Sequence, residues 1–258
     1  MQNKFSFRRF SMLFQKHTSE YLSGYLMAVV VLLGVLILFL GGAAYLDSAP
    51  LSENLQALVF ALLFFGFGFI FTSGVFASLG DKNKAISFLT LPASHFEKYL
   101  VGWIYSFLFF SLVYVACFYL VAAVVLRMDT NPGQESDLLD MFTGDRRMYM
   151  SFVFYALLHG LAIFGSAFFK KGHFIKSAFA FVVIMLLIIL LNEQVMQLVW
   201  SRDLKGAVPF SDITFLENQE LMRIAPPEGL QSLAYGIPVV LAVLFWAAAY
   251  SLLKEKQV

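Results

Sequence analysis

Residues 21–46 read YLSGYLMAVVVLLGVLILFLGGAAYL, a run that contains no Asp, Glu, Lys, Arg or His. An α-helix rises about 1.5 Å per residue and the hydrocarbon core of a bilayer is about 30 Å thick, so about 20 apolar residues suffice to cross it. The run is long enough. Its centre, Val29-Val30-Val31-Leu32-Leu33, does not alternate apolar with polar residues as a barrel strand would, so the crossing element is a helix. Working outward, five further runs have the same character: residues 55–79, 99–126, 148–169, 174–191 and 230–253. Their interiors are free of Asp, Glu, Lys and Arg except in the fifth, where Lys176 lies near one end and can snorkel. The fifth is also the shortest, with residues 177–192 alone lying between charges.

Composition agrees. Of 258 residues, 60% are hydrophobic and 14% charged, against about 45–50% and about 25% in soluble domains; the mean hydropathy is +0.76. The expected fold is all-α: a polytopic integral membrane protein with six transmembrane helices, the membrane domain occupying residues 21–258. A cleaved signal peptide is the rival for the first run. Lys4, Arg8 and Arg9 lie too far from it, however, and no small-x-small pattern precedes Asp47, Gly41-Gly42-Ala43-Ala44 being the nearest approach. The single Cys117 excludes an intrachain disulfide and any multi-cysteine metal site. A net charge of +1 excludes the basic surface of a nucleic-acid binder.

Orientation follows from where the charges fall. Six spans put residues 1–20, 80–98, 170–176 and 254–258 on one side. That side holds 12 of the 18 Lys and Arg residues but only 4 of the 17 acids, Glu20, Asp81, Glu97 and Glu255. The positive-inside rule makes it cytoplasmic, and the expected location is the inner (plasma) membrane of a bacterium with both termini inside.

Two segments on that side carry more pattern than a connector needs. Within residues 1–20, positions 4–16 form an amphipathic helix at 100° per residue, with Phe7, Phe10, Leu13 and Phe14 on one face and Lys4, Arg8, Arg9 and Lys16 on the other. Such a segment lies in the headgroup plane, as an anchor or as a contact for a cytoplasmic partner. In residues 80–98, Gly80 ends the second span, and Ile86, Phe88, Leu89 and Leu91 make a short helical stretch apolar enough to pack on something. Pro92 stops it, and Ser94 with Glu97 three residues on has the form of a capping box that opens the next helix.

The chain here resembles the type 2 family of ABC exporter permeases. The likeness rests on the amphipathic N-terminal helix, six spans with both ends inside, the short helix between spans two and three, and the run Leu89-Thr90-Leu91-Pro92-Ala93-Ser94 leading into Phe96-Glu97-Lys98-Tyr99-Leu100. It covers most of the chain as a topology and residues 80–103 as a motif; residues 192–229 take no part in the motif. The resemblance implies that the short helix is a coupling helix docking in a cleft of a separate cytoplasmic ATPase subunit, with Ile86, Phe88, Leu89 and Leu91 as the apolar docking surface. It also implies a homodimer, or a heterodimer with a related permease.

Inside the membrane, His159 is the ionisable residue that lies deep in a span. It reads either as a contact in a transport path or as a neutral imidazole hydrogen-bonded to a neighbouring helix, the second being favoured because no carboxylate lies at its depth. Haem ligation lacks a partner at matched depth, since His17, His95 and His173 all sit in the segments expected to be cytoplasmic. No catalytic constellation is legible: Gly160 and Gly165 are followed by Ser166 where a phosphate-binding loop needs Lys, and the surroundings of a rhomboid-type serine are missing. No cofactor or metal is expected, and ATP hydrolysis belongs to a partner. Gly66 with Gly68, and Ala156 with Gly160, are small residues that let helices approach within the chain. On the outer side, Asp129, Glu135, Asp137, Asp140 and Asp145 lack calcium-loop spacing and read as a solvated loop. Residues 192–229 mix Val195, Met196, Leu198 and Trp200 with Pro209 and Pro226-Pro227, and are expected to form short amphipathic helices on the outer leaflet. The reading is an exporter permease for an amphiphilic or hydrophobic substrate; the alternative is a non-transporting membrane scaffold or assembly factor, and a lipid-acting enzyme comes third.

Overall fold

In the computed structural model, residues 5–46, 51–128, 137–141, 150–200, 204–207, 213–217, 220–224 and 228–256 are described. Helix α1 (Phe7–Leu36) continues through a π-helical turn (Ile37–Gly41) into α2 (Gly42–Leu46). Together they are one rod of 40 residues, about 60 Å long and twice the hydrocarbon thickness. The amphipathic segment expected over residues 1–20 is thus helical from Phe7 and runs without a break into span one. No Gly or Pro interrupts the chain between Lys16 and Tyr21, and the Thr18 and Ser19 hydroxyls donate back to the carbonyls of Phe14 (2.8 Å) and Gln15 (3.0 Å) within the helix. On its aromatic face Phe14 packs on Tyr105 and Phe109 at ring distances of 5.0 and 6.0 Å, while Phe7 stays exposed.

Helix α3 (Glu53–Ser73), capped by Ser52, forms span two and ends in a 3-10 turn (Ala77–Gly80). After α4 (Lys82–Leu89), span three is α5 (His95–Trp103), a π-helical segment (Ile104–Phe109) and α6 (Phe110–Met128) in one rod. Spans four, five and six are α7 (Met150–Phe168), α8 (His173–Trp200) and α9 (Glu228–Glu255, with Pro238 inside). Among the described residues six helices are thus long and apolar enough to cross a bilayer, and the chain is an all-α polytopic membrane protein in its body.

Lipid tails are as apolar as Leu, so burial alone does not drive helices together; close approach and internal hydrogen bonds do. Phe60, Phe64, Tyr114, Phe118 and Tyr155 form a fully buried aromatic stack between α3, α6 and α7, and the Tyr114 hydroxyl donates to the Phe60 carbonyl at 2.8 Å. Gly160 lets α7 lie against α9: a Cβ there would sit 3.0 Å from Ala242 O and 3.2 Å from Phe245 Cβ. Gly68 makes room for the Tyr155 ring in the same way, whereas Gly66 faces open space. At the basic end, Phe76, Leu79, Leu89, Tyr99, Ile163 and Leu253 form a second core, and Gly80 passes so close to Lys170 that a Cβ would overlap its carbonyl oxygen. Helix α8 is peripheral, with Phe179, Val182 and Leu186 among its many exposed apolar residues, as a lipid-facing helix requires.

The connections at the end opposite the basic one differ from expectation in two places. Buried Gln56 donates to Asp137 O (2.9 Å) and accepts from Leu139 N (3.0 Å), and Tyr119 donates to Leu139 O (3.0 Å). Leu139 and Met141 are thereby drawn into the core, so residues 137–141 are docked chain; Asp129, Glu135 and Asp145 lie outside the described residues. In 192–229, α8 runs on to Trp200 and is followed by an antiparallel sheet, β1 (Leu204–Ala207), β2 (Ile213–Glu217) and β3 (Glu220–Ile224), in that order. The expected short outer helices are replaced by a sheet. Glu217 pairs with Glu220, which leaves two residues to join β2 to β3, and strand pairing supplies the backbone hydrogen bonds that surface helices would have made internally.

Candidate functional site

The junction between α4 and α5 is assembled from local caps and then locked by two buried charges. The Asp81 carboxylate accepts from Asn83 N (3.0 Å) and Lys84 N (3.3 Å), which opens α4 with an anion at its positive end. Thr90 closes it by donating to Ile86 O at 2.8 Å, and Pro92 lies just beyond. Ser94 Oγ accepts from Glu97 N (3.2 Å) while Glu97 Oε2 accepts from Ser94 N (2.8 Å), so the capping box is complete.

The second carboxylate oxygen reaches across the sequence. Glu97 Oε1 accepts from Ser6 N (2.7 Å) and from Arg9 Nη2 (3.0 Å), and its side chain is fully buried. Lys98, 3% exposed, donates from Nζ to Leu89 O at 2.9 Å and lies 5.6 Å over the Phe88 ring. One charge ties the start of span three to the N-terminal segment; its neighbour ties it to the last turn of α4. Both charges are spent on fastening, and neither is free to move a proton to a substrate. Glu97 was legible as a cap, but its pairing with Arg9 and the role of Lys98 were not, since partners 88 residues apart leave no local pattern.

The four residues expected to form one docking surface are divided. Leu89 is 6% exposed and belongs to the basic-end core. Phe88 is half-buried, its ring 6.3 Å from Phe76. Leu91 is half-buried and, with Phe88, walls a cavity whose other side is Leu13, Lys16 and His17 of α1. Ile86 alone of the four is exposed, at 39%, among exposed Lys82, Asn83, Lys84 and Ser87. A continuous four-residue apolar face is therefore corrected to a polar, basic face with one large apolar residue. The physical reason is the roll of α4: Phe88, two positions on, points almost opposite to Ile86 and packs on Phe76, and Leu89, the last residue of the helix, is held in the basic-end core where Lys98 bonds to its carbonyl.

His159 is fully buried where spans three, four and six meet. Trp246 donates from Nε1 to His159 Nδ1 at 2.9 Å, and His159 Nε2 lies 2.8 Å from Ser106 Oγ. Since Nδ1 accepts, the proton is on Nε2, and since Ser106 donates its own proton to Gly102 O (2.8 Å), its oxygen accepts from the imidazole. Every group in the chain of bonds is satisfied with a neutral ring. Tyr155 adds a bond from its hydroxyl to Ser106 O at 2.8 Å. The π-helical segment makes this possible by sending consecutive residues to opposite partners, Tyr105 to Thr18 of α1 (2.5 Å) and Ser106 to His159. Ser106 and Trp246 carried no sequence signal, being an ordinary hydroxyl and an ordinary aromatic residue in apolar runs. In comparisons with known proteins, the chain matches no family model, no curated protein and no solved structure.

Proposed function

We propose that this chain is the membrane-spanning permease subunit of an exporter for an amphiphilic or hydrophobic substrate, driven by a separate cytoplasmic ATPase that docks on the basic end. The subunit is placed in a bacterial inner membrane with both termini cytoplasmic, and works as a dimer with a copy of itself or a related permease. The observation that carries the reading is the fastening of α4 to span three through Lys98 and of span three to α1 through Glu97 and Arg9. A force applied to α4 is delivered to spans one and three together, which is what a coupling element requires. ATP hydrolysis is assigned to the partner.

The burial of Leu89 and the packing of Phe88 against Phe76 support a second reading. They account for half of the apolar quartet without any partner, as a non-transporting scaffold would. One substitution separates the two. Ile86→Glu changes an exposed side chain and should leave stability within about 0.5 kcal/mol, yet on the coupling reading it abolishes copurification of an ATPase in mild detergent. An ATPase that copurifies equally with the wild type and Ile86→Glu, or none with either, refutes coupling through this face; none with either also favours the scaffold.

A further inference from the structure

Two cavities meet inside the wedge between α1, α3 and the π-helical segment of span three. The first, about 310 Å³, lies at the basic end, where Lys16, His17, Glu20, Tyr21 and Ser78 supply polar walls. The second, about 470 Å³, runs along the flank of α1 beside Met27, Ala28 and Val31, against Phe67, Ile70 and Val113. Both volumes fall in the range of small-molecule sites. Tyr25, Phe71 and Tyr105 line both and so mark their junction. At that junction the Tyr25 hydroxyl is held by His17 (2.6 Å) and the Tyr105 hydroxyl by Thr18 (2.5 Å), with the two rings stacked at 5.4 Å. The hydroxyls are thus engaged on the α1 side, and the stacked rings form the shared wall of the two cavities.

We infer that this compound cavity holds one membrane amphiphile, its acyl chain in the apolar groove and an ammonium–phosphate headgroup in the polar chamber. A cavity with charged groups among its walls beside an apolar groove, the two sharing Tyr25, Phe71 and Tyr105, matches an amphiphile better than a soluble metabolite or a bare hydrocarbon. The headgroup class follows from the charges. Lys16 and Glu20, one turn apart with Nζ and Oε1 3.5 Å apart, both line the chamber; a phosphate meets the ammonium and the lipid's ammonium meets the carboxylate, with Tyr21 offering its π face. A purely anionic headgroup would satisfy Lys16 and be repelled by Glu20. The π-helical segment contributes Tyr105 and Phe109 to the wall, in keeping with the frequency of such turns at binding sites.

The inference rests on the membrane-spanning architecture and not on the coupling reading. Its test uses the whole chain alone in nanodiscs, without ATPase, so a failure here leaves the Ile86→Glu result standing, and the reverse. The probe is phosphatidylethanolamine with a diazirine in its acyl chain, present at tracer level. Cross-links are expected to concentrate at residues 24–32 and 67–71. Gly24 lines the groove and an added Cβ there meets nothing within 4 Å, so Gly24→Leu fills the groove and should reduce those cross-links about tenfold, with Ala28→Leu as the second plug if the first does not assemble. Glu20→Gln should reduce them about threefold and remove the preference over phosphatidylglycerol. Free phosphoethanolamine, which lacks the chain, should not compete; competition by it would show a soluble-anion site and overturn the inference. Cross-links spread evenly over α1, α8 and α9 and indifferent to both plugs would show annular lipid only, and equal capture of phosphatidylglycerol by the wild type would overturn the headgroup assignment.

Discussion

Removing the Glu97 carboxylate is the perturbation that tests the fastening of the basic end most directly. Glu97→Ala deletes the acceptor for three donors at once: Ser6 N at 2.7 Å, Arg9 Nη2 at 3.0 Å and Ser94 N at 2.8 Å. Losing the return half of a capping box costs about 1 kcal/mol, and breaking a buried ion pair from one side costs about 3–5 kcal/mol because the other charge is stranded. Arg9 is 25% exposed in its side chain, so water relieves part of that penalty, and about 3 kcal/mol in total is expected. Glu97→Gln should cost less, about 1–2 kcal/mol: its amide oxygen can serve Ser6 and Arg9, but its NH₂ then faces the Ser94 N–H, one donor against another. The assay is reversible unfolding in detergent for Arg9→Ala, Glu97→Ala and the double variant. A coupling energy of about 1.5 kcal/mol or more is expected. Single effects that add to within about 0.5 kcal/mol would show that the pair does not hold α1 to span three, and the force-transmission reasoning would fall with it.

Three further outcomes follow from the same geometry. Cysteines placed at the exposed positions Lys84 and Lys171 should react with an impermeant reagent after the membrane is opened, and one at exposed Asp137 in intact spheroplasts, with native Cys117 buried; reaction of Lys84→Cys from outside would overturn the orientation. His159→Gln should assemble with a loss of about 1 kcal/mol, since an amide can still accept from Trp246 and donate to Ser106, whereas His159→Leu strands the indole N–H and should cost about 1–3 kcal/mol by the same unfolding assay; equal losses for the two would refute the hydrogen-bond account. Gly160→Val should separate α7 from α9 and cost about 2 kcal/mol or more, while Gly66→Ala, in open space, should be neutral or slightly stabilising, read as detergent melting temperatures.

What was legible in the chain was whatever a local window contains. Six uninterrupted apolar runs gave six helices, and the Ser94-x-x-Glu97 spacing gave the cap that opens span three. The packing of Phe14 was hidden because an amphipathic face reads the same whether it meets lipid or the Tyr105 and Phe109 rings. The division of Ile86 from Phe88 and Leu89 depended on which way an eight-residue helix rolls, and that is set by Lys98 and Phe76 rather than by the helix itself. The three-stranded sheet did leave a trace: Ile213-Thr214-Phe215-Leu216-Glu217 and Glu220-Leu221-Met222-Arg223-Ile224 are runs of strand length separated by two residues.

The hydrogen-bonded knot at His159 also sets an order of events during synthesis. Its donor, Trp246, is encoded 87 residues later. At about 5–20 residues per second, span four waits roughly 4–17 s for its last partner, holding an unpaired imidazole acceptor in hydrocarbon the whole time. A nascent chain that ends after the fifth helix lacks this bond, and the arrival of the sixth supplies it. The bond that closes the bundle is therefore also the mark by which a finished molecule differs from an unfinished one.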